Sequence, residues 1–133
     1  MHLADITPSI FASLGLADAE NRLEISESPA GRELLFLVDG LGADVVEKYA
    51  SVIPTIASLS ATTSLRTSFP STTATSLATL MTGALPGAHG MLGYTVRVPR
   101  SGGRILNSLK WDERVDPTIW QPLPTLFERA QAA

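Results

Sequence analysis

Cysteine is absent from the 133 residues. That excludes a disulfide framework, a thiolate metal site and a cysteine nucleophile. Histidine is almost as scarce, with His2 and His89 the only two, so a Ser-His-Asp hydrolase has little to draw on, and no Gly-x-Ser-x-Gly occurs. No Gly-x-x-x-x-Gly-Lys occurs either, which excludes a P-loop. Long hydrophobic runs are missing: Leu34-Leu35-Phe36-Leu37-Val38 is about a quarter of a membrane span, so no membrane partner is expected. The start, Met1-His2-Leu3-Ala4-Asp5, has no basic segment leading into an apolar stretch. No secretory signal is read there, and the cytoplasm is the expected compartment. A basic excess is also lacking. Ten Lys and Arg against thirteen Asp and Glu give a net charge of −3, which excludes a general phosphate-backbone binder and with it a nucleic-acid duplex as partner.

What is present suits one folded domain. Apolar residues make up 44% and charged ones 17%, a balance that favours burial over disorder. Ile6 to Leu16 has the pattern of a short amphipathic helix, and Ser26 to Gly31 reads as a loop. Glu33 to Val38 is a continuous apolar run closed by Asp39-Gly40, as expected of a strand covered on both faces in a parallel sheet. Leu41 to Ala50 then suits a helix with Val45, Val46 and Tyr49 inward. Strand, glycine turn and helix in that order indicate an α/β class.

Ser60 to Thr82 holds thirteen Ser or Thr in twenty-three positions, which on composition alone describes a flexible linker. The apolar residues argue for order instead. Ala74, Leu77, Ala78 and Met81 fall at i, i+3, i+4 and i+7 on one helical face, and Leu65 to Phe69 before them fits a second parallel strand adjacent to the first. Gly83 to Gly93 is expected to be a loop. A β-hairpin is expected at about 94–107, with Tyr94 to Val98 and Arg104 to Asn107 as its arms. A helix is expected over Pro124 to Gln131, with proline in its first turn. No strand follows that helix, so the α/β layer looks cut short.

Several residues stand where chemistry is possible. Asp39, at the end of a strand, is placed as a metal ligand or base, or as the cap of the next helix. Ser71-Thr72-Thr73 sits at a helix start, where unpaired N–H groups favour a phosphate and a hydroxyl can attack phosphorus. The same hydroxyls can instead simply cap the helix. Gly40-x-Gly42 lacks the third glycine of a dinucleotide fingerprint. His89, between glycine-rich turns, either binds metal or, the favoured reading, bonds backbone. Trp111 and Trp120 are expected to pack and not to stack on bases.

Taken together, Leu37-Val38-Asp39-Gly40-Leu41-Gly42, Ser68-Phe69-Pro70-Ser71-Thr72-Thr73 and Met81-Thr82-Gly83-Ala84-Leu85-Pro86-Gly87-Ala88-His89-Gly90 resemble the type I phosphodiesterase/nucleotide pyrophosphatase family of the alkaline phosphatase superfamily. The resemblance covers about residues 33 to 95. It implies an α/β, alkaline-phosphatase-like three-layer fold with a mainly parallel sheet, incomplete at the C-terminus. Residues 1–30 would be an N-terminal leader segment and 31–133 the N-terminal part of the catalytic domain.

The activity implied is metal-dependent hydrolysis of a phosphodiester or pyrophosphate in a small-molecule or nucleotide substrate. The register to Gly83 matches the family's nucleophile to Thr73 and not Thr72. Asp39 and Thr73 match ligands of one of two Zn2+ ions, while Ala74 and Tyr94 fall where substrate contacts are expected. Two departures bear on substrate: Ala74-Thr75-Ser76 replaces the Phe-Pro-Asn common in nucleotide pyrophosphatases, and Leu92-Gly93-Tyr94 replaces an Asn that touches a phosphoryl oxygen. The remaining family ligands lie beyond Ala133, so this chain is expected to hold at most part of one zinc site and to be inactive alone. His2 lies at a terminus expected to be mobile. An uncovered sheet edge is expected to drive self-association. The alternatives are another enzyme of the superfamily, a phosphonate hydrolase or a phosphomutase, and a non-catalytic binding or assembly module.

Overall fold

A computed structural model of the chain describes residues 1–26, 31–59 and 63–133. The loop expected at Ser26 to Gly31 falls mostly on residues outside that set, as do the first positions of the hydroxyl-rich stretch. The described chain forms two compact units, Met1–Glu33 with Arg66–Ala133, and Leu34–Leu65. Residues 1–33 therefore pack with the C-terminal two thirds of the larger unit.

In that larger unit a 3-10 turn, Leu3–Asp5, runs directly into α1, Ile6–Ser13. His2 caps it: the Ala4 N–H donates to His2 Nδ1 at 3.1 Å, and the His2 N–H donates to Asp5 Oδ2 at 2.7 Å. The terminus is thus anchored where mobility was expected, because a capping box satisfies donors at both ends of the turn. Asp5 is also fixed from outside by Arg22, 3.3 Å away. Residues 1–3 run parallel to Arg66, with the Leu3 N–H donating to the Arg66 carbonyl at 2.8 Å and the Arg66 N–H to that of Met1 at 3.3 Å.

The unit continues with α4, Thr73–Thr82, and the single turn α5, Pro86–His89, inside the stretch expected to be a loop. (α2, Ala43–Lys48, and α3, Pro54–Leu59, belong to the smaller unit.) Strands β1, Thr95–Arg97, and β2, Ile105–Asn107, pair antiparallel with Val96 opposite Leu106, as the alternating pattern predicts. Arg104 and Arg114 flank Asp112 at 3.6 and 2.8 Å. The Arg114 guanidinium holds the Asp112 carboxyl down at about 2. Two short helices follow, α6, Pro117–Trp120, and α7, Leu126–Ala132. Pro124 precedes α7 instead of opening it. Thr125 is the N-cap, in a capping box with Glu128, because a side-chain oxygen that accepts helix amides marks the start more sharply than a proline does.

Helix α1 packs on α4 and α7. Phe11 and Phe127 meet edge to face, ring centroids 5.1 Å apart, and Leu126 is fully buried. Gly83 closes α4 in the left-handed region, φ +67, and a Cβ there would lie 2.6 Å from Pro8 Cγ. Only glycine meets both conditions.

The core is unusual in kind. Among the described residues the buried apolar side chains are Ala4, Leu80, Leu106, Val115 and Leu126, while nine polar residues are buried, among them Thr75, Thr79 and His89. The buried side of α4 carries Thr75, Thr79, Leu80 and Thr82. Leu77, on the apolar face read from its spacing, is 38% exposed. Hydroxyls prevail there because each has a partner: Thr75 meets Thr72 Oγ1, Thr79 meets His89 Nε2, and Thr82 donates to the Ala78 carbonyl.

The smaller unit contains α2, Ala43–Lys48, and α3, Pro54–Leu59. Neither buries a residue, and Val45 and Tyr49 are exposed where they were expected inward. Leu34 to Val38 carries no strand, and Leu34 and Phe36 are 89% and 79% exposed. The described residues therefore show mixed helix and strand with a small antiparallel sheet. The parallel pairing expected of 33–38 with 65–69 is not among these elements. A parallel ladder needs neighbours along both edges and cover on both faces, and an apolar run without them remains irregular.

Candidate active site

Two motifs supply the candidate residues, one in each unit. In the smaller unit, Asp39 and Gly40 form a turn after the apolar run, with Gly40 at φ +71, a conformation glycine adopts at little cost. Asp39 is exposed. The N-cap of α2 is Gly42; Asp39 lies three residues before it and is itself engaged in an interaction.

In the larger unit, Thr73 is the first residue of α4 and is exposed; Ala74, beside it, is half-buried. Thr72 is the N-cap by backbone geometry, φ −83 and ψ 152, yet its side chain takes no helix amide. Its hydroxyl pairs with Thr75 Oγ1 at 2.9 Å instead. The first-turn amides of a helix have no intrahelical acceptor, and here the N-cap side chain does not take them. Tyr94 stands just before β1, 49% exposed, with its carbonyl accepting the Ser108 N–H at 2.7 Å.

His89 is 1% exposed. Its Nδ1 accepts the Met91 N–H at 3.1 Å, so the proton of the neutral ring lies on Nε2, 2.9 Å from Thr79 Oγ1. Burial lowers its pKa. The backbone-bonding role favoured for His89 is the one found. Thr79 Oγ1 in turn lies 3.4 Å from Ser68 Oγ, and Ser68 Oγ 3.5 Å from His2 Nε2. Sequence reasoning gives Thr79 and Ser68 no role and reads His2 only as a mobile terminus. The available signal is Thr79, a hydroxyl within α4 ten residues before the second histidine.

The donors present do not make a complete zinc site. Among the described residues no three of His, Cys, Asp and Glu gather. Both imidazoles turn Nδ1 to the backbone and face hydroxyls with Nε2. Asp39 and Thr73 are oxygen donors, each engaged in an interaction of its own.

The family model for type I phosphodiesterase / nucleotide pyrophosphatase matches residues 34–133. The chain belongs to the type I phosphodiesterase/nucleotide pyrophosphatase family. That match takes in Asp39, Thr73, Ala74, His89 and Tyr94, and extends past the quoted motifs through the hairpin to Ala133. No curated protein and no solved structure gives a significant match. Among the described residues no helix is long and apolar enough to cross a membrane.

Proposed function

We propose that this chain forms part of a hydrolase for phosphodiester or pyrophosphate bonds in small-molecule or nucleotide substrates, with Thr73 as nucleophile. One observation carries the reading. Within a chain of this family, Thr73 is the exposed first residue of α4, and the N-cap Thr72 directs its hydroxyl away from the helix amides. A helix start of this kind favours a phosphoryl group through its N–H donors and partial positive charge.

Thr73 Oγ attacks phosphorus, and its proton passes to solvent water as the Oγ–P bond forms. The bond from phosphorus to the leaving alkoxide or phosphate breaks, and that oxygen leaves. Water then cleaves the Oγ–P bond and restores the hydroxyl. The Ala74 N–H and the Tyr94 hydroxyl are the proposed contacts to the phosphoryl oxygens, where charge develops. Asp39 and Thr73 are this chain's proposed contribution to a two-zinc centre. The described residues fall short of such a centre, so no step is assigned to the metal.

The overall sheet proposed is the parallel, alkaline-phosphatase-like one, with Leu34 to Val38 as a covered strand. The exposed apolar side chains of that run are the surface through which the isolated chain would self-associate. The test is turnover of bis(p-nitrophenyl) phosphate by the intact enzyme: loss in Thr73→Ala with retention in Thr72→Ala supports the assignment, and the reverse pattern overturns it.

A further inference from the structure

In the larger unit the buried side chains of Ser68, Thr79 and His89 form a chain that the proposed reaction does not use. Residues 67–72 lie along α4 and meet it through three hydroxyl pairs. Thr67 Oγ1 is 3.3 Å from Ser76 Oγ, Ser68 Oγ is 3.4 Å from Thr79 Oγ1, and Thr72 Oγ1 is 2.9 Å from Thr75 Oγ1. Thr75, Thr79 and Ser68 are almost wholly buried, so each needs its partner.

The middle pair is closed at both ends by histidine. His89 Nδ1 accepts the Met91 N–H and His2 Nδ1 accepts the Ala4 N–H. Each neutral ring therefore carries its proton on Nε2. His89 Nε2–H donates to Thr79 Oγ1 at 2.9 Å, and His2 Nε2–H faces Ser68 Oγ at 3.5 Å. With a ring donor entering at each end, one of the two hydroxyl hydrogens joins Thr79 to Ser68 and the other points out of the pair. Both tautomers are thus set by backbone amides outside the chain.

We propose that His89, Thr79 and Ser68, with His2 at the far end, are positioning residues that hold the 67–72 segment against α4 and so fix where Thr73 enters the helix. His89 acts through Thr79 and Ser68 and touches no substrate. The role for Thr73 rests on the reading above; the hydrogen-bonded chain itself does not.

The experiment keeps the two apart by reading the 133-residue chain without substrate. Long-range 1H–15N spectra of the imidazoles give the tautomers, and amide exchange at Ser76, whose N–H donates to the Thr72 carbonyl at 2.9 Å, gives the firmness of the helix entry. Both rings are expected as Nε2–H tautomers. Thr79→Val should speed exchange at Ser76 at least tenfold while α7 amides hold, and Thr79→Ser should restore it. Should Thr79→Val fail to fold, Ser68→Ala is expected to show the same local acceleration. An Nδ1–H tautomer at His89 overturns the proposal. So does unchanged Ser76 exchange in a folded Thr79→Val or Ser68→Ala chain, or a Thr79→Ser chain as labile as the valine one. Thr73→Ala should leave both tautomers unaltered, so a wrong nucleophile would not disturb this result.

Discussion

Thr72 Oγ1 and Thr75 Oγ1 lie 2.9 Å apart, and this pair replaces the usual bond from an N-cap hydroxyl to a helix amide. An N-cap threonine that bonds an amide is worth about 1 kcal/mol. Thr72→Ala loses no capping bond but leaves the buried Thr75 hydroxyl without its partner, so it is expected to cost about 1–3 kcal/mol in urea denaturation. Thr72→Ser, which keeps a hydroxyl, should cost markedly less, and a Thr72→Ala chain as stable as the parent would show that the pair contributes nothing.

Gly83 is the tightest backbone position described. A left-handed alanine costs about 1–2 kcal/mol, and a Cβ 2.6 Å from Pro8 Cγ adds the strain of overpacking, about 1–3 kcal/mol. Gly83→Ala should therefore lower stability by about 2–5 kcal/mol, read as the shift in denaturation midpoint multiplied by the slope. Gly87→Ala, where a Cβ would meet nothing, serves as the comparison.

His89 makes stability depend on pH in a stated direction. Burial lowers its pKa from 6.5 in the folded chain, so below that value the unfolded chain binds more protons. The stability that the neutral ring contributes is present above pH 6.5 and is lost as pH falls toward the folded value. NMR titration of the His89 ring C–H signals should give a midpoint below 6.5. A midpoint at or above it would show a ring that is solvated or paired with a carboxylate.

The hairpin, α1 and α4 were legible because their signals are local: alternation across Tyr94–Asn107 and a helical period after Thr73. The left-handed turns at Gly40 and Gly83 follow from the same local reasoning. The interior of α4 was not legible. Periodicity ranks Leu77 above Thr79 as a core residue, yet Thr79 is buried because Ser68 and His89, eleven and ten residues away, supply hydrogen bonds. The anchoring of His2 depends likewise on Arg66 and Asp5 and not on position in the chain. Leu34 to Val38 reads as a covered strand, but cover is a property of neighbours, and the run itself cannot provide it.

Asp39 is proposed to bind metal. In the intact enzyme, Asp39→Asn should lower zinc content more than it lowers the melting temperature of metal-free protein. Equal zinc in variant and parent would remove Asp39 from the metal centre.

The 133-residue chain alone should show no zinc-dependent diester hydrolysis. Two catalytic zinc ions need about six protein ligands, and no three candidate ligands gather among the described residues. Zinc-dependent turnover that disappears in Thr73→Ala would show that the chain, or an assembly of copies, completes a site.

The nucleophile assignment is tested most directly by comparing Thr73→Ala and Thr72→Ala in the intact enzyme, under saturating bis(p-nitrophenyl) phosphate with folding checked by circular dichroism. Removal of a nucleophile typically costs several orders of magnitude in kcat, so Thr73→Ala should fall at least about a thousandfold and Thr72→Ala less than about tenfold. A Thr73→Ala enzyme that keeps its turnover, or a Thr72→Ala enzyme that loses it, would contradict the account.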